Sequence, residues 1–170
     1  MAFLPPFKRT ECACEEDMKF CKQRPGYLIP GDLFAISDAL IKRGEIKTPR
    51  DLFPLLRASK GPVVGNSATG QRHRIGTITP AMKDGRCVFL DPQDRCTIHA
   101  VAPFGCAFFD VHMDPAQADI RSLWGLKQIV SAPAYQQLRL QLADRDGEHE
   151  PFVNGELDRL EGDHGEEEGQ

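Results

Sequence analysis

Apolar residues recur with helical spacing in several segments of the chain. The first segment, PGDLFAISDALIKRGE, predicts a helix that begins at Pro30 and stops at Gly44. The apolar stripe of this helix comprises Leu33, Phe34, Ile36, Leu40 and Ile41. A second, shorter helix is predicted in TPRDLFPLLRAS, where Thr48 can cap the first turn and Pro54 should bend or shorten the end.

Two further helices are predicted in the last third of the chain. DPAQADIRSLWGLKQIVSA offers Asp114 as a cap, and PAYQQLRLQLADRD begins with Pro133 at a position suited to the first helical turn. The positions expected to pack in the core are Ile120, Leu123, Trp124, Ile129, Val130, Tyr135, Leu138 and Leu142.

Strand signals are weaker than helix signals. Residues 75–79 and 86–90 predict two short strands joined by a turn at Lys83-Asp84-Gly85. Residues 58–74 are predicted to form a loop, and residues 1–29 an irregular, cysteine-rich segment. The loop glycines are not followed by Gly-Lys-Ser/Thr, which excludes a phosphate loop. The elements together predict a small, irregular α+β domain with several helices and a short β-hairpin.

Composition places the chain among ordinary globular proteins. With 170 residues, 41% hydrophobic and 27% charged, it is long enough for one domain with its own core. No apolar run approaches the ~18 residues of a membrane helix, so no membrane partner is expected. The start, MAFLPPFKRTEC, is a poor export signal because its apolar part is short and its positive charge follows it. A bacterial-type cytoplasm, where stable disulfides are uncommon, is therefore the expected location.

Charge divides the chain into two parts. The net charge is −4, but the stretch from Asp144 to the end holds eleven acidic and two arginine residues. We therefore predict one domain over residues 1–145 and an acidic, disordered tail over residues 146–170. An alternative is that the tail docks a protein client or screens the mildly basic domain from polyanions.

Six cysteines fall into two groups, one near the N-terminus and one in the second half of the chain. They are Cys12, Cys14, Cys21, Cys87, Cys96 and Cys106. Simple burial does not suit the acidic ECACEED segment, and disulfides suit short secreted chains. Thiolates are soft ligands, and two distant groups can combine around zinc or an iron–sulfur cluster. All six cysteines are therefore candidate metal ligands, and the domain is predicted to be metal-clasped. Four thiolates complete one zinc or one four-iron site, so it stays open whether Cys12, Cys14 or both bind the metal.

Turn-forming residues accompany the second group of cysteines. Gly85 precedes Cys87, and Pro103 and Gly105 precede Cys106. Tight turns allow backbone amides to point toward thiolate sulfurs, where they stabilise the negative charge. A redox dithiol at Cys12-Ala13-Cys14 is disfavoured, because a disulfide across one residue is strained and acidic neighbours oppose the thiolate.

The segment GRCVFLDPQDRCTIHAVAPFGCAFF resembles the second half of the zinc- or iron-chelating cysteine-cluster family of the YkgJ type. That family's pattern is Cys-x-Phe-Leu, a short acidic turn, Cys-x-Ile-Tyr/His, then Arg-Pro-x-x-Cys-Arg-x-Phe. The matching positions are Cys87, Phe89, Leu90, Cys96, Ile98, His99, Pro103, Cys106 and Phe108. In the first half, the cysteines precede GYLIPGDLFAI, which resembles the family's apolar segment and Asp-Leu helix. The resemblance spans about residues 12–110 and implies a cysteine-ligated zinc or iron site.

The chain departs from that pattern at three points. Its first cysteines are spaced Cys-x-Cys-x6-Cys, without the family's adjacent Cys-Cys pair. Ala102 and Ala107 stand where the family has arginine, so two positive charges are missing beside the thiolates. His99 could act as a ligand, but its position resembles a packing residue of the family, and we expect it to pack.

The leading functional hypothesis is a metal-binding protein that chelates zinc or iron through its cysteines, in a structural or metal-handling role. Zinc is the first choice, because it needs no assembly machinery. The alternatives are an iron–sulfur protein in electron transfer or as an enzyme accessory, and a zinc-clasped nucleic-acid-binding module. Basic and aromatic residues are not interleaved, so nucleic acid is not an expected partner. The sequence contains no catalytic motif that we recognise, so no enzymatic activity is predicted.

Overall fold

A computed structural model describes residues 4–66 and 68–148 of the chain. The acidic tail predicted from residue 146 onward therefore falls almost entirely outside the described residues. The α-helices are α1 (Glu15–Gln23), α2 (Pro30–Lys42), α3 (Phe104–Ala107), α4 (Pro115–Val130) and α5 (Pro133–Arg145). The strands are β1 (Leu56–Ser59), β2 (Val63–Asn66), β3 (Gln71–Arg74), β4 (Thr77–Pro80), β5 (Met82–Lys83) and β6 (Arg86–Cys87). Two 3₁₀ helices span Pro49–Leu55 and His99–Val101.

The strands form three separate antiparallel pairs. In order along the chain these are β1 with β4, β2 with β3, and β5 with β6. This arrangement of helices and short strand pairs confirms the predicted small, irregular α+β fold class. Within the described residues, no helix is long and apolar enough to cross a membrane.

Helix α2 forms where its periodicity predicts it. Its first turn is fixed by Asp32, whose carboxylate accepts a 2.9 Å hydrogen bond from the backbone N–H of Ile29. Leu40 is buried, as expected. Phe34 is 72% exposed and Ile41 is also exposed, so the apolar stripe is only partly buried. They lie at the edges of the apolar stripe, where a narrow contact surface leaves them in solvent.

The second predicted helix is a 3₁₀ helix. Asp51 fixes its start by accepting 2.9 Å hydrogen bonds from the backbone N–H groups of Lys47 and Thr48. Pro54 lies inside the helix. Because proline cannot donate an α-helical hydrogen bond, it fits the tighter, shorter form.

The strand predictions need correction. The predicted loop at residues 58–74 contains the end of β1 and the whole of the β2–β3 hairpin. The strand predicted at residues 75–79 is largely β4, but its partner is β1, with Leu56 opposite Pro80. The predicted turn is present as the short β5–β6 hairpin, in which Asp84 and Gly85 have φ of 53° and 75°.

The N-terminal segment is not wholly irregular, because α1 forms within it. Its first turn carries Glu15, Glu16 and Asp17, whose negative charges interact favourably with the positive end of the helix dipole. Lys22 in the last turn interacts favourably with the negative end. No residue of α1 is buried. A search for an apolar stripe therefore misses this helix.

Helices α4 and α5 confirm the predictions for the last third of the chain. Ile129 and Leu142 are fully buried, but Ile120 and Leu123 are each 53% exposed, contrary to the core prediction. Asp114 occupies the cap position of α4, yet its side chain makes no capping hydrogen bond. The hydroxyl of Tyr135 joins α5 to the sheet by donating 2.6 Å to the carbonyl of Leu28 and accepting 2.7 Å from the N–H of Ile78.

Two apolar clusters fill the interior. The larger one lies among α2, α5 and the β1–β4 pair. The smaller one is aromatic and centres on Phe104, whose ring stacks on Phe108 at a centroid distance of 5.1 Å and meets Trp124 at 5.3 Å. Phe104 and Phe108 lie two residues on either side of Cys106, and Cys106 packs against this aromatic cluster.

Candidate metal centre

Five of the six cysteines line one cavity of about 670 Å³. They are Cys12, Cys21, Cys87, Cys96 and Cys106. The cavity thus brings both sequence groups together, as the metal interpretation requires. We refer to Cys21, Cys87, Cys96 and Cys106 as the pocket thiols, since they interact with one another electrostatically. All six cysteines are free of disulfides.

Helix α1 brings Cys21 to the cavity, although it buries no apolar side chain of its own. The ammonium of Lys22, next to Cys21, pairs with the carboxylate of Asp94 at 3.0 Å. The other carboxylate oxygen of Asp94 pairs with Arg86, which belongs to the β5–β6 hairpin. Ion pairs therefore hold α1 against the hairpin and the turn that carry Cys87 and Cys96.

A compact turn holds Cys96 beside the β6 strand. The carboxylate of Asp91 accepts hydrogen bonds from the backbone N–H groups of Gln93, at 2.9 Å, and Arg95, at 3.0 Å. Leu90 and Cys96 then face each other in an isolated antiparallel bridge. The sequence LDPQDRC thereby returns the chain to the cavity within six residues.

Cys106 reaches the cavity through close contact between two glycines. A β-carbon added to Gly26 would lie 2.1 Å from the carbonyl carbon of Gly105, and one added to Gly105 would lie 2.4 Å from the nitrogen of Tyr27. Only glycine permits two backbones to approach so closely. The approach allows the N–H of Gly26 to donate a 3.0 Å hydrogen bond to the sulfur of Cys106.

Asp32 connects the start of α3 to α2, near the contact between Gly26 and Gly105. Besides Ile29, its carboxylate accepts a 2.8 Å hydrogen bond from the backbone N–H of Phe104. Burial raises the pKa of Asp32 to about 6, and the two backbone N–H donors oppose that rise. Asp32 therefore helps to fix helix α3, which carries Cys106.

Burial makes the pocket thiols weak acids. It is the largest cause that raises the pKa of each, and it brings the pKa of Cys87 to about 11. The neighbouring pocket thiols raise the pKa of Cys106 further, because negative charges in one cavity repel. Four thiolates can share this cavity only with a cation to compensate them.

Backbone N–H donors already point at three of the four sulfurs. The amide of Phe89 bonds to Cys87, that of Ile98 to Cys96, and that of Gly26 to Cys106, and each lowers the pKa of its thiol. The first two donors lie two residues after their cysteines, in the Cys-x-Phe and Cys-x-Ile elements of the sequence. Such donors stabilise thiolate charge and orient the sulfur lone pairs toward a ligand.

Arginines from elsewhere in the chain supply positive charge near the cavity. The charges of Arg9 and Arg43 lower the pKa of Cys96, against the larger effect of burial. Arg9 lines the cavity and donates 2.7 Å to the carbonyl of Ala100, and also to that of His99. Arg9 thus provides a cation close to the segment in which Ala102 lacks one.

A second group of ligands includes Cys12, which also lines the cavity. The ligand atoms of Cys12, Cys14 and His112 all lie within 4.8 Å of one another, close enough to hold a metal ion. Across residues 4–66 and 68–148, no other three such His, Cys, Asp or Glu atoms are that close. We call Cys12, Cys14 and His112 the surface trio, because Cys12 and His112 are exposed and Cys14 is half-buried.

Histidine positions differ from expectation. His99, expected to pack, is exposed and lines the cavity. His112 was not identified from the sequence, because no metal-ligand spacing links it to Cys12 or Cys14, one hundred residues earlier in the chain. Only the docking of α1 on the segment after α3 brings them together.

Comparisons with protein-family models, with curated proteins and with solved structures give no match to this chain. The chemistry of the cavity and of the surface trio therefore carries the functional assignment. That chemistry is thiol-rich, partly buried and provided with N–H donors, which is compatible with metal binding.

Proposed function

We propose that this chain is a metal-binding protein whose pocket thiols hold the metal as thiolates. The observation that carries the proposal is the convergence of four thiols, from α1, β6, α3 and the turn after Leu90, on one cavity. Four cysteine sulfurs are the ligand number that both structural zinc sites and iron–sulfur clusters use.

Metal binding accounts for features that simple burial leaves unexplained. Buried neutral thiols need no hydrogen-bond donors, yet three backbone amides are directed at these sulfurs. A bound cation would replace the thiol protons and offset the repulsion that raises the pKa of Cys106. The cavity also provides room for an occupant, which a packed apolar core would not.

The occupant that the cavity favours is an iron–sulfur cluster, rather than the zinc ion that was the first choice from the sequence. One tetrahedral zinc, with bonds of about 2.3 Å, needs its sulfurs about 3.8 Å apart. In the described part of the chain, no three pocket sulfurs are as close together as 4.8 Å. A cluster holds its thiolates farther apart, because they bind different irons. The corresponding role is electron transfer or service as an enzyme accessory.

Membership of the YkgJ-type cysteine-cluster family belongs to the same proposal. Support for it comes from the Cys-x-Phe-Leu and Cys-x-Ile elements, which in this chain set N–H donors against Cys87 and Cys96. The arginine that the family carries before its Pro-x-x-Cys would correspond in function to Arg9 here, whose charge acts on Cys96.

Single cysteine variants test the proposal. Anaerobically prepared chain should show visible absorption from sulfur-to-iron charge transfer, and Cys106→Ser should lose it. Cys14→Ser is the matched control, because Cys14 does not line the cavity, and it should keep the absorption. Circular dichroism would verify that each variant is folded. A colourless chain with one zinc that depends on Cys106 would show that the pocket thiols bind zinc and not a cluster. A folded chain without any metal would refute the proposal.

A further inference from the structure

The surface trio is built from two chain segments that a single carboxylate connects. Asp17 of α1 accepts a hydrogen bond from the Cys14 thiol, with a sulfur–oxygen distance of 3.2 Å. Its other oxygen accepts a 2.9 Å hydrogen bond from the backbone N–H of Val111, the residue before His112. Asp17 therefore fixes the histidine segment beside the Cys12-Ala13-Cys14 segment.

We propose that the surface trio is a second, mononuclear zinc site, separate from the pocket thiols. Two thiolates and one imidazole are a ligand set that zinc uses in proteins, and their mutual distances already suit a single ion. Binding would release the two thiol protons, and the two thiolate charges would balance the charge of Zn²⁺. The site thus needs no further charged ligand.

The trio leaves one coordination position open. Three protein ligands complete only part of a tetrahedral shell, and the fourth position belongs to water or to an incoming ligand. Cys12 and His112 are exposed, so a chelator or a partner's thiolate can reach the ion. Zinc at the surface trio should therefore exchange readily, unlike a metal enclosed by the pocket thiols.

Cobalt titration of the full-length, reduced chain tests this site, because Co²⁺ occupies zinc sites and absorbs visibly when it binds thiolates tetrahedrally. We expect His112→Asn to lower the affinity for one cobalt equivalent by roughly 100-fold or more, because it removes a direct ligand. Loss of a contact that only orients a ligand already lowers metal affinity by roughly 10- to 100-fold. His99→Asn is the matched control, because His99 is also exposed but lies outside the trio.

Asp17→Asn tests how the carboxylate charge acts on the site. Asn keeps an oxygen that can accept the hydrogen bond from the Val111 N–H, and it removes a negative charge beside the two thiolates, so the cobalt equivalent that depends on His112 should not weaken. Cys106→Ser separates this site from the pocket: it should lose the pocket metal and keep the equivalent that depends on His112. Cobalt binding that is unchanged in His112→Asn, or equally weakened in His99→Asn, would overturn the proposal.

Discussion

The backbone N–H of Gly26 donates a 3.0 Å hydrogen bond to the sulfur of Cys106, eighty residues later in the chain. The bond joins the segment between α1 and α2 to helix α3, and it depends on the close contact of Gly26 with Gly105. It therefore connects a local backbone requirement directly to the geometry of a metal ligand.

Gly105→Ala should destabilise the chain and remove the pocket metal. The added β-carbon would lie 2.4 Å from the nitrogen of Tyr27 and 2.8 Å from the α-carbon of Gly26, so the two backbones must separate. Overpacking of this kind costs about 1–3 kcal/mol in free energy of unfolding. Gly65→Ala is the control, because nothing lies within 4 Å of its added β-carbon. Denaturant unfolding and metal analysis of both variants measure the two effects, and a Gly105→Ala chain with full metal content would contradict this prediction.

Tyr135→Phe should reduce stability without affecting the metal. The variant leaves the carbonyl of Leu28 and the N–H of Ile78 without their buried partner, at a cost of about 1–3 kcal/mol. Tyr135 does not line the cavity, so a folded variant should bind metal as the wild type does. Comparison with Gly105→Ala at equal destabilisation separates loss of the site from loss of the fold. Metal loss in Tyr135→Phe under folding conditions would argue against that separation.

Arg9→Gln should raise the pKa of the Cys96 thiol in the metal-free, reduced chain. The positive charge of Arg9 favours the thiolate, so its removal leaves burial less opposed. At a fixed pH below that pKa, less thiolate is present and alkylation of Cys96 slows. Mass spectrometry after timed alkylation over a pH series gives the shift, with Arg50→Gln as a control at an exposed site. An unshifted alkylation profile would show that Arg9 does not act on Cys96.

Asp94→Asn should loosen α1 while leaving the global stability nearly unchanged. Partly exposed ion pairs such as Lys22–Asp94 contribute little to the global free energy of unfolding because solvent screens them, but α1 has no buried residues to hold it instead. Asn also tolerates the positive φ of 61° at this position. Hydrogen exchange should quicken in α1, whereas Asp38→Asn, which breaks the exposed Lys42 pair on α2, should not affect α1. Unchanged exchange in α1 would mean that other contacts hold it.

The same ion pair predicts a dependence on pH. The hydrogen bond from Lys22 is the largest cause that holds the pKa of Asp94 below its ordinary value. A lowered carboxylate pKa means that the docking of α1 is fully stabilised above the ordinary Asp pKa of about 3.9 and weakens as pH falls below it. Chemical shifts of α1 amides over an acid titration should show this change in the wild type and lose it in Asp94→Asn.

The sequence predicts those elements whose apolar periodicity coincides with their burial. Helices α2, α4 and α5 are found where the pattern predicts them, because the buried residues of each helix lie on one face of it. Examples are Leu40 in α2 and Ile129 in α4. The pattern overestimated the burial of residues at the edges of those faces. Ile120, for example, is 53% exposed. Periodicity reports which side of a helix is apolar, but not how wide the contacting surface is.

Features that depend on contacts between distant parts of the chain could not be predicted from the sequence. Strand β4 pairs with β1, more than twenty residues earlier, and no local turn signal specifies that partner. Helix α1 is held by the Lys22–Asp94 ion pair rather than by an apolar stripe. The surface trio requires both that docking and the Asp17–Val111 hydrogen bond, so His112 could be identified only from the folded chain.

The most direct test of the central claim is the content of iron, acid-labile sulfide and zinc in the full chain purified without oxygen, measured together with circular dichroism. We expect iron and sulfide in equal amounts, absent from Cys106→Ser and retained in Cys14→Ser. A well-folded chain that contains no iron or sulfide, and whose zinc content is unchanged in Cys106→Ser, would contradict the claim that the pocket thiols form a metal site.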